Sequence, residues 1–147
     1  MKPSQVCAMK PSEITDRFTV LRGPVGSTVH GLALAGTDDR DEMGVCLEPA
    51  DCVIGLDHFE QHVFRSAETR TPAKQGFAPR SEAGDLDLTV YSLRKWARLA
   101  AQGNPTVLLL LFIPDSELVV ATDAGRELRR CASFFASRAA APRFLGY

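Results

Sequence analysis

No sign of charge dominates this chain. Seventeen Lys and Arg face eighteen Asp and Glu over 147 residues, a formal net charge of −1. That balance excludes a polybasic coat for nucleic acid or membrane and leaves only local contacts with such partners. Long hydrophobic runs are missing as well. The longest, Val107 to Ile113, is far shorter than the ~20 residues a bilayer needs, and the first residues, "MKPSQVCAMKPSE", contain no apolar signal core. Cys7, Cys46, Cys52 and Cys131 form no CxxC pair, so the close ligand pairs of a zinc site are absent. Without an export signal the four are expected as reduced thiols of a cytoplasmic protein with no membrane partner. Histidine is scarce too: His30, His58 and His62. His58 and His62 are spaced like helical metal ligands, but they fall in a segment that reads as a strand, so a surface or structural role is expected. The "MKPS" at Met1 recurs at Met9, too soon for a structural repeat and compatible with translation starting at either Met.

What is present is the composition of one globular domain. A hydrophobic fraction of 45% in 147 residues is enough to bury a real core. Residues 1–16 are expected as a flexible N-terminus, and 17–147 as the domain. A strand is expected near Phe18 to Leu21, broken by Gly23-Pro24, followed by a short helix with Ser27 as N-cap and Gly36 as stop. "DEMGVCLEP" reads as a second strand closed by Pro49, and Phe59 to Arg65 as a third. Ser66 to Gly84 is rich in Ser, Thr, Pro, Gly and charge and reads as a long exposed loop. "DLDLTV", Asp85 to Val90, alternates acid and apolar at period two, the mark of a strand with one polar face.

The next helix is the clearest element. Leu93, Trp96, Ala97 and Ala100 fall at i, i+3, i+4 and i+7, a core-facing stripe. Gly103 and Pro105 end it, and Asn104 is expected to cap or turn the chain. "TVLLLLFI" reads as buried, helix or strand. A last helix starts near Thr122 or Asp123, with Leu128, Cys131, Ala132 and Phe135 on one face. The apolar finish "PRFLGY" reads as a domain cut short.

Chemistry concentrates in "VGSTVHGLALAGTDDRDEMGV". Asp38, Asp39, Asp41 and Glu42 sit within five positions, and close carboxylates repel unless water, a cation or a ligand compensates them. A solvated turn is the simplest reading. The sharper one is a metal site: residues two apart on a strand share a side, so Asp39 and Asp41 present two carboxylates suited to Mg²⁺ or Mn²⁺. Asp85 and Asp87, on one face of the "DLDL" strand, each offer a third. Gly26 lets backbone approach a phosphate, and the Ser27 hydroxyl with the amides after it can donate to one. A calcium loop fails on spacing: counted from Asp39, the fifth position is Met43 and the twelfth Ala50. The chain is also too small for a DxD glycosyltransferase. Arg94, Lys95 and Arg98 form a basic helix face able to meet a phosphate or an acceptor nucleic acid.

Taken together, "GSTVHGLALAGTDDRDEMGV" and "DLDLTVYSLRKWARLAAQGNPTVLLLLF" resemble the DNA polymerase β-like nucleotidyltransferases, in particular a branch of predicted bacterial and phage nucleotidyltransferases. The likeness runs from about Val20 to Tyr147. It implies an α/β (α+β) fold, a short mixed β-sheet flanked by helices. It implies that Gly26 and Ser27 hold the triphosphate, with Arg94 and Lys95 as further nucleotide-binding residues. Asp39, Asp41 and Asp87 become the metal-binding and catalytic carboxylates, with Asp85 as the fallback for the third. The implied activity is transfer of a nucleoside monophosphate from an NTP such as ATP to an acceptor hydroxyl, with Mg²⁺ or Mn²⁺ and release of pyrophosphate. The acceptor is left open among small molecule, protein and RNA. The alternative is a truncated, non-catalytic relative that binds nucleotide or a partner protein.

Overall fold

The computed structural model describes residues 9–25, 40–70 and 84–135. The expected Ser27 cap and the helix after it lie outside those residues. Among the described residues five strands form one mixed sheet in the order β3-β4-β2-β1-β5, with helices packed around it, an α+β architecture. The strands are β1 (Thr19–Pro24), β2 (Arg40–Cys46), β3 (Gln61–Arg65), β4 (Leu86–Ser92) and β5 (Val120–Ala121). Only β2 and β4 are parallel; the other neighbours are antiparallel. Parallel neighbours need a crossover, and residues 47–85 supply one that includes α2 (Ala50–Val53), β3 and α3 (Ser66–Arg70). β2 and β4 therefore form the centre of the sheet, and their starts lie side by side.

The N-terminus departs from expectation. Instead of a flexible stretch through residue 16, the chain forms α1 over Pro11–Phe18. Proline at the first turn lacks only an N–H that would go unused there, and the Glu13 carboxylate accepts the Lys10 N–H at 2.9 Å. Ile14 is buried with Cys46, Phe59 and Val90 on one face of the sheet. Phe18 closes this helix rather than opening a strand. Gly23-Pro24 does not break β1 either: Gly23 pairs with Met43 and Pro24 with Glu42. Pro24 is tolerated because β5 covers only Leu21 and Arg22 on the other side of β1, so no ladder bond is lost. Likewise the expected Ser66–Gly84 loop opens with helix α3; residues 71–83 lie outside the described ones.

The main core occupies the other face. Leu21, Met43 and Val45 of the sheet meet Trp96 and Ala100 of α4 (Leu93–Ala101) and Val107 and Leu108 of α5 (Pro105–Leu109). The α4 stripe is the expected one. Ser92 caps its start, accepting the Lys95 N–H at 3.2 Å, and Gly103 takes a φ of +72° after its end. The ambiguous "TVLLLLFI" is helical because Asn104 Oδ1 accepts the Thr106 and Val107 N–H groups and Pro105 follows it. It tightens into a 3₁₀ turn over Leu110–Phe112. The Trp96 indole N–H donates to the Val107 carbonyl at 3.2 Å, and the Phe135 ring of α7 (Ala132–Phe135) meets the indole edge-on at 5.2 Å.

α6 (Asp123–Arg130) begins at Thr122, whose hydroxyl accepts the Gly125 N–H and donates to the Val20 carbonyl. Gly125 lies so close to β1 that a Cβ there would stand 2.1 Å from the Val20 oxygen. Among the described residues no helix is long and apolar enough to cross a membrane.

Candidate active site

The central ladder determines which acids meet. Asp41 is the second residue of β2 and Asp87 the second of β4, and the two are register partners. Paired residues of parallel strands point to the same face, about 4.8 Å apart from strand to strand. Two carboxylates thus stand side by side where the two central strands begin, on the face that carries Met43 and Val45 deeper in the sheet.

Asp87 is the more enclosed of the two. Its side chain is 31% exposed, and its Oδ1 is buried and accepts no hydrogen bond from the described residues. Its Oδ2 faces Arg65, the register partner on β3, at 3.8 Å from Nε. Like charges at adjacent ladder positions are destabilising, and a folded chain retains them where a cation or ligand relieves them. An all-oxygen pair with a buried, donor-free oxygen fits a hard divalent ion such as Mg²⁺ or Mn²⁺.

The other clustered acids divide. Glu42 points to the opposite face of β2 and is 2% exposed. It pairs with Arg22 and, at 2.6 Å, with Arg40, so its role is to bind β1 to β2. Asp85 is also structural. It is buried just before β4, where its Oδ1 accepts the Ser66 hydroxyl at 3.0 Å and Ser66 Oγ accepts the Leu86 N–H at 2.8 Å. That arrangement ties α3 to the first residue of β4 and leaves Asp87 as the acid beside Asp41. Asp39, Gly26 and Ser27 lie outside the described residues. Among the described residues no three His, Cys, Asp or Glu side chains converge.

Arg94 and Lys95 do not join the pair. At ~3.3 Å per residue, β4 carries the chain roughly 16 Å from Asp87 to Ser92 before α4 starts. The Arg94 guanidinium donates to the Val53 and Cys52 carbonyls and pairs with the nearly buried Glu48 at 3.5 Å. Lys95 Nζ donates to Glu60 at 3.0 Å, and Arg98 reaches the same carboxylate at 3.3 Å. The Lys95 ammonium holds the Glu60 carboxyl below the usual carboxylate range, with Arg98 and His58 adding to the effect. His58 is largely exposed and 3.9 Å from Glu60, and His62 lies on β3 rather than a helix, so the two do not form the helical ligand pair that their spacing allows. Cys46, Cys52 and Cys131 are free thiols. Burial pushes the Cys46 thiol up to about 12, with the Glu48 charge adding to the shift.

One residue of the carboxylate row had no counterpart in the sequence reading: Arg65. The signal that could have found it is its place at the end of the third strand, but only the β3–β4 register turns that place into a contact with Asp87.

One protein-family model matches the chain, over residues 1–147; it describes the RNA repair pathway DNA polymerase beta family, RlaP. No curated protein and no solved structure matches it. The paired carboxylates at the head of a mixed sheet and a family match over the full 147 residues agree: the chain belongs to the RlaP family of polymerase β-like nucleotidyltransferases.

Proposed function

We propose that this chain transfers a nucleoside monophosphate from an NTP to a hydroxyl of RNA, releasing pyrophosphate. The observation that carries the reading is the register pairing of Asp41 with Asp87 at the head of the two central strands, with the Asp87 Oδ1 buried and accepting no hydrogen bond from the described residues. The RNA acceptor rests on the family's association with an RNA repair pathway, and ranks ahead of a small molecule or a protein. With a net charge of −1, recognition of RNA would be local rather than a broad electrostatic coat.

Asp41 and Asp87, with Asp39 two residues before Asp41, would hold Mg²⁺ or Mn²⁺. A divalent ion held there would offset phosphate charge and acidify the attacking hydroxyl. Asp87 Oδ1, buried and without a donor among the described residues, is suited to accept the proton of that hydroxyl. Gly26 and Ser27 would orient the triphosphate through backbone amides and a hydroxyl, which is positioning and electrostatic work. Arg94 and Lys95, bound at the far end of β4, have no part in this reading.

The test is incorporation of labelled NTP onto RNA of defined ends, with small-molecule and protein acceptors in parallel. Activity that requires a divalent ion and is lost in both Asp41→Asn and Asp87→Asn is the expected result. Transfer that survives either substitution would overturn the reading, and transfer to another acceptor alone would correct its RNA element.

A further inference from the structure

Arg65 has no role in the scheme above. It ends β3, opposite Asp87 in the antiparallel ladder, with its side chain 47% exposed. Its charge is divided between two carboxylates: Nε lies 3.8 Å from Asp87 Oδ2 and Nη1 lies 3.5 Å from Glu68 Oε1. Both contacts are at the long end for an ion pair, where a tight guanidinium–carboxylate contact is about 2.8 Å. Two other arginines are held more closely. Arg40 meets Glu42 at 2.6 Å, and Arg129 donates to the Leu111 and Ile113 carbonyls at 3.2 and 2.5 Å. Arg65 is held less closely than these two, and among the described residues β3 is the edge strand of the sheet, with no strand beyond it.

Resting on the reading that Asp41 and Asp87 hold a divalent cation, we propose that Arg65 is an exchangeable counter-ion of that site. It neutralises Asp87, gives that carboxylate up to the cation, and then receives a phosphate oxygen of the substrate. Two positive groups cannot share Asp87 Oδ2 at close range without repulsion, so Arg65 competes with the cation that the site is built to take. Once displaced, a guanidinium beside a phosphoryl-transfer site has the planar donor fork that matches phosphate oxygens. The triphosphate and the RNA backbone present the same oxyanion chemistry. Arg65 is thus a positioning residue with two effects of opposite sign: it weakens cation binding and strengthens binding of a phosphate-bearing substrate.

The experiment uses the full chain, with Mn²⁺ titrated by electron paramagnetic resonance in the absence of nucleotide. Arg65→Ala is expected to bind Mn²⁺ about three- to tenfold more tightly, the size of one half-exposed charge contact removed. Arg65→Lys should stay near the wild-type affinity, and Asp87→Asn should lose binding. At saturating Mn²⁺, Arg65→Ala is expected to weaken binding of a non-hydrolysable NTP or of a short RNA by about fivefold or more. Loss toward the NTP identifies the triphosphate as the phosphate received, and loss toward RNA identifies the acceptor. Unchanged or weaker Mn²⁺ binding by Arg65→Ala, with binding still dependent on Asp87, overturns the counter-ion role. Unchanged affinity for both ligands overturns the exchange. If none of the folded proteins binds Mn²⁺, the carboxylate-pair reading itself fails and this inference falls with it.

Discussion

The two ends of β4 differ in how their charges are settled. At its C-terminal end acids meet bases in repeated contacts: Glu60 with Lys95 and Arg98, and Glu48 with Arg94. At its N-terminal end two carboxylates share one ladder position, one buried oxygen has no donor among the described residues, and the nearby arginine stands 3.8 Å off. Both ends are rich in charge, so charge density does not separate them. What separates them is which charges meet: acids face bases at one end, and at the other two acids share a ladder position beside a buried carboxylate oxygen that accepts no hydrogen bond from the described residues.

The sharpest way to break this contrast is to neutralise the unsettled end. Asp87→Asn should lower nucleotidyl transfer roughly 10³-fold and leave the unfolding transition unshifted or raised, since it removes one of two repelling charges. A loss of activity that merely tracked a loss of folded protein, followed by circular dichroism, would make Asp87 structural instead.

The acids of β2 allow a second comparison, front face against back. Arg22→Ala takes one of two cations from the buried Glu42 and should cost about 3 kcal/mol in urea unfolding, with Mn²⁺ affinity at the opposite face unchanged. An Asp41→Asn chain should show the reverse pattern.

At the settled end the expected effects are smaller. Glu60→Gln should reduce stability modestly at neutral pH and spare NTP binding. The Glu60 carboxyl sits below its ordinary range in the folded chain, so its stabilisation is complete above the unfolded-state value and fades as pH falls through the folded one. Wild type and Glu60→Gln should therefore converge in acid. A gap that persists there would show that the charge of Glu60 is not what matters.

Smallest is a chemical distinction among the thiols. Cys46 stays protonated up to about 12, so in the native chain a thiol reagent at pH 8 should label Cys131 well before Cys46. In alkali the sign follows from the raised value: the unfolded thiol ionises first, so Cys46 favours the folded chain below about pH 8.5 and that preference is lost as pH rises toward 12.

Much of this was legible in the linear chain, for identifiable reasons. The α4 stripe, the caps at Asn104 and Thr122 and the "DLDLTV" strand are local patterns, written within a dozen residues. The preference for Asp87 over Asp85 came only through the family resemblance; in the structure Asp87 is the register partner of Asp41, while Asp85 is buried and bonded to Ser66. Other features depend on register, which no local pattern encodes. Glu42 looked like one more acid of a cluster until the alternation of β2 turned it to the back face against Arg22 and Arg40. Arg65 became a neighbour of Asp87 only through the β3–β4 pairing. Arg94 and Lys95 are close to Asp87 in sequence, but an extended strand carries them to the opposite end of the sheet. α1 was missed although Pro11 and Glu13 are ordinary helix-start signals, because a doubled "MKPS" and a polar composition read as an unstructured leader.

The parallel pairing of β2 with β4 also has a consequence for how the molecule comes into being. Asp41 and Asp87 are 46 residues apart, and their ladder cannot close until the intervening crossover has formed. Non-local contacts of that separation pay their loop-closure entropy before any pairing rewards it. During synthesis the first of these acids would emerge well ahead of its partner and have nothing to act with. On the proposed reading, nucleotide chemistry would therefore wait for closure of the sheet's centre, and its onset would report that step of folding.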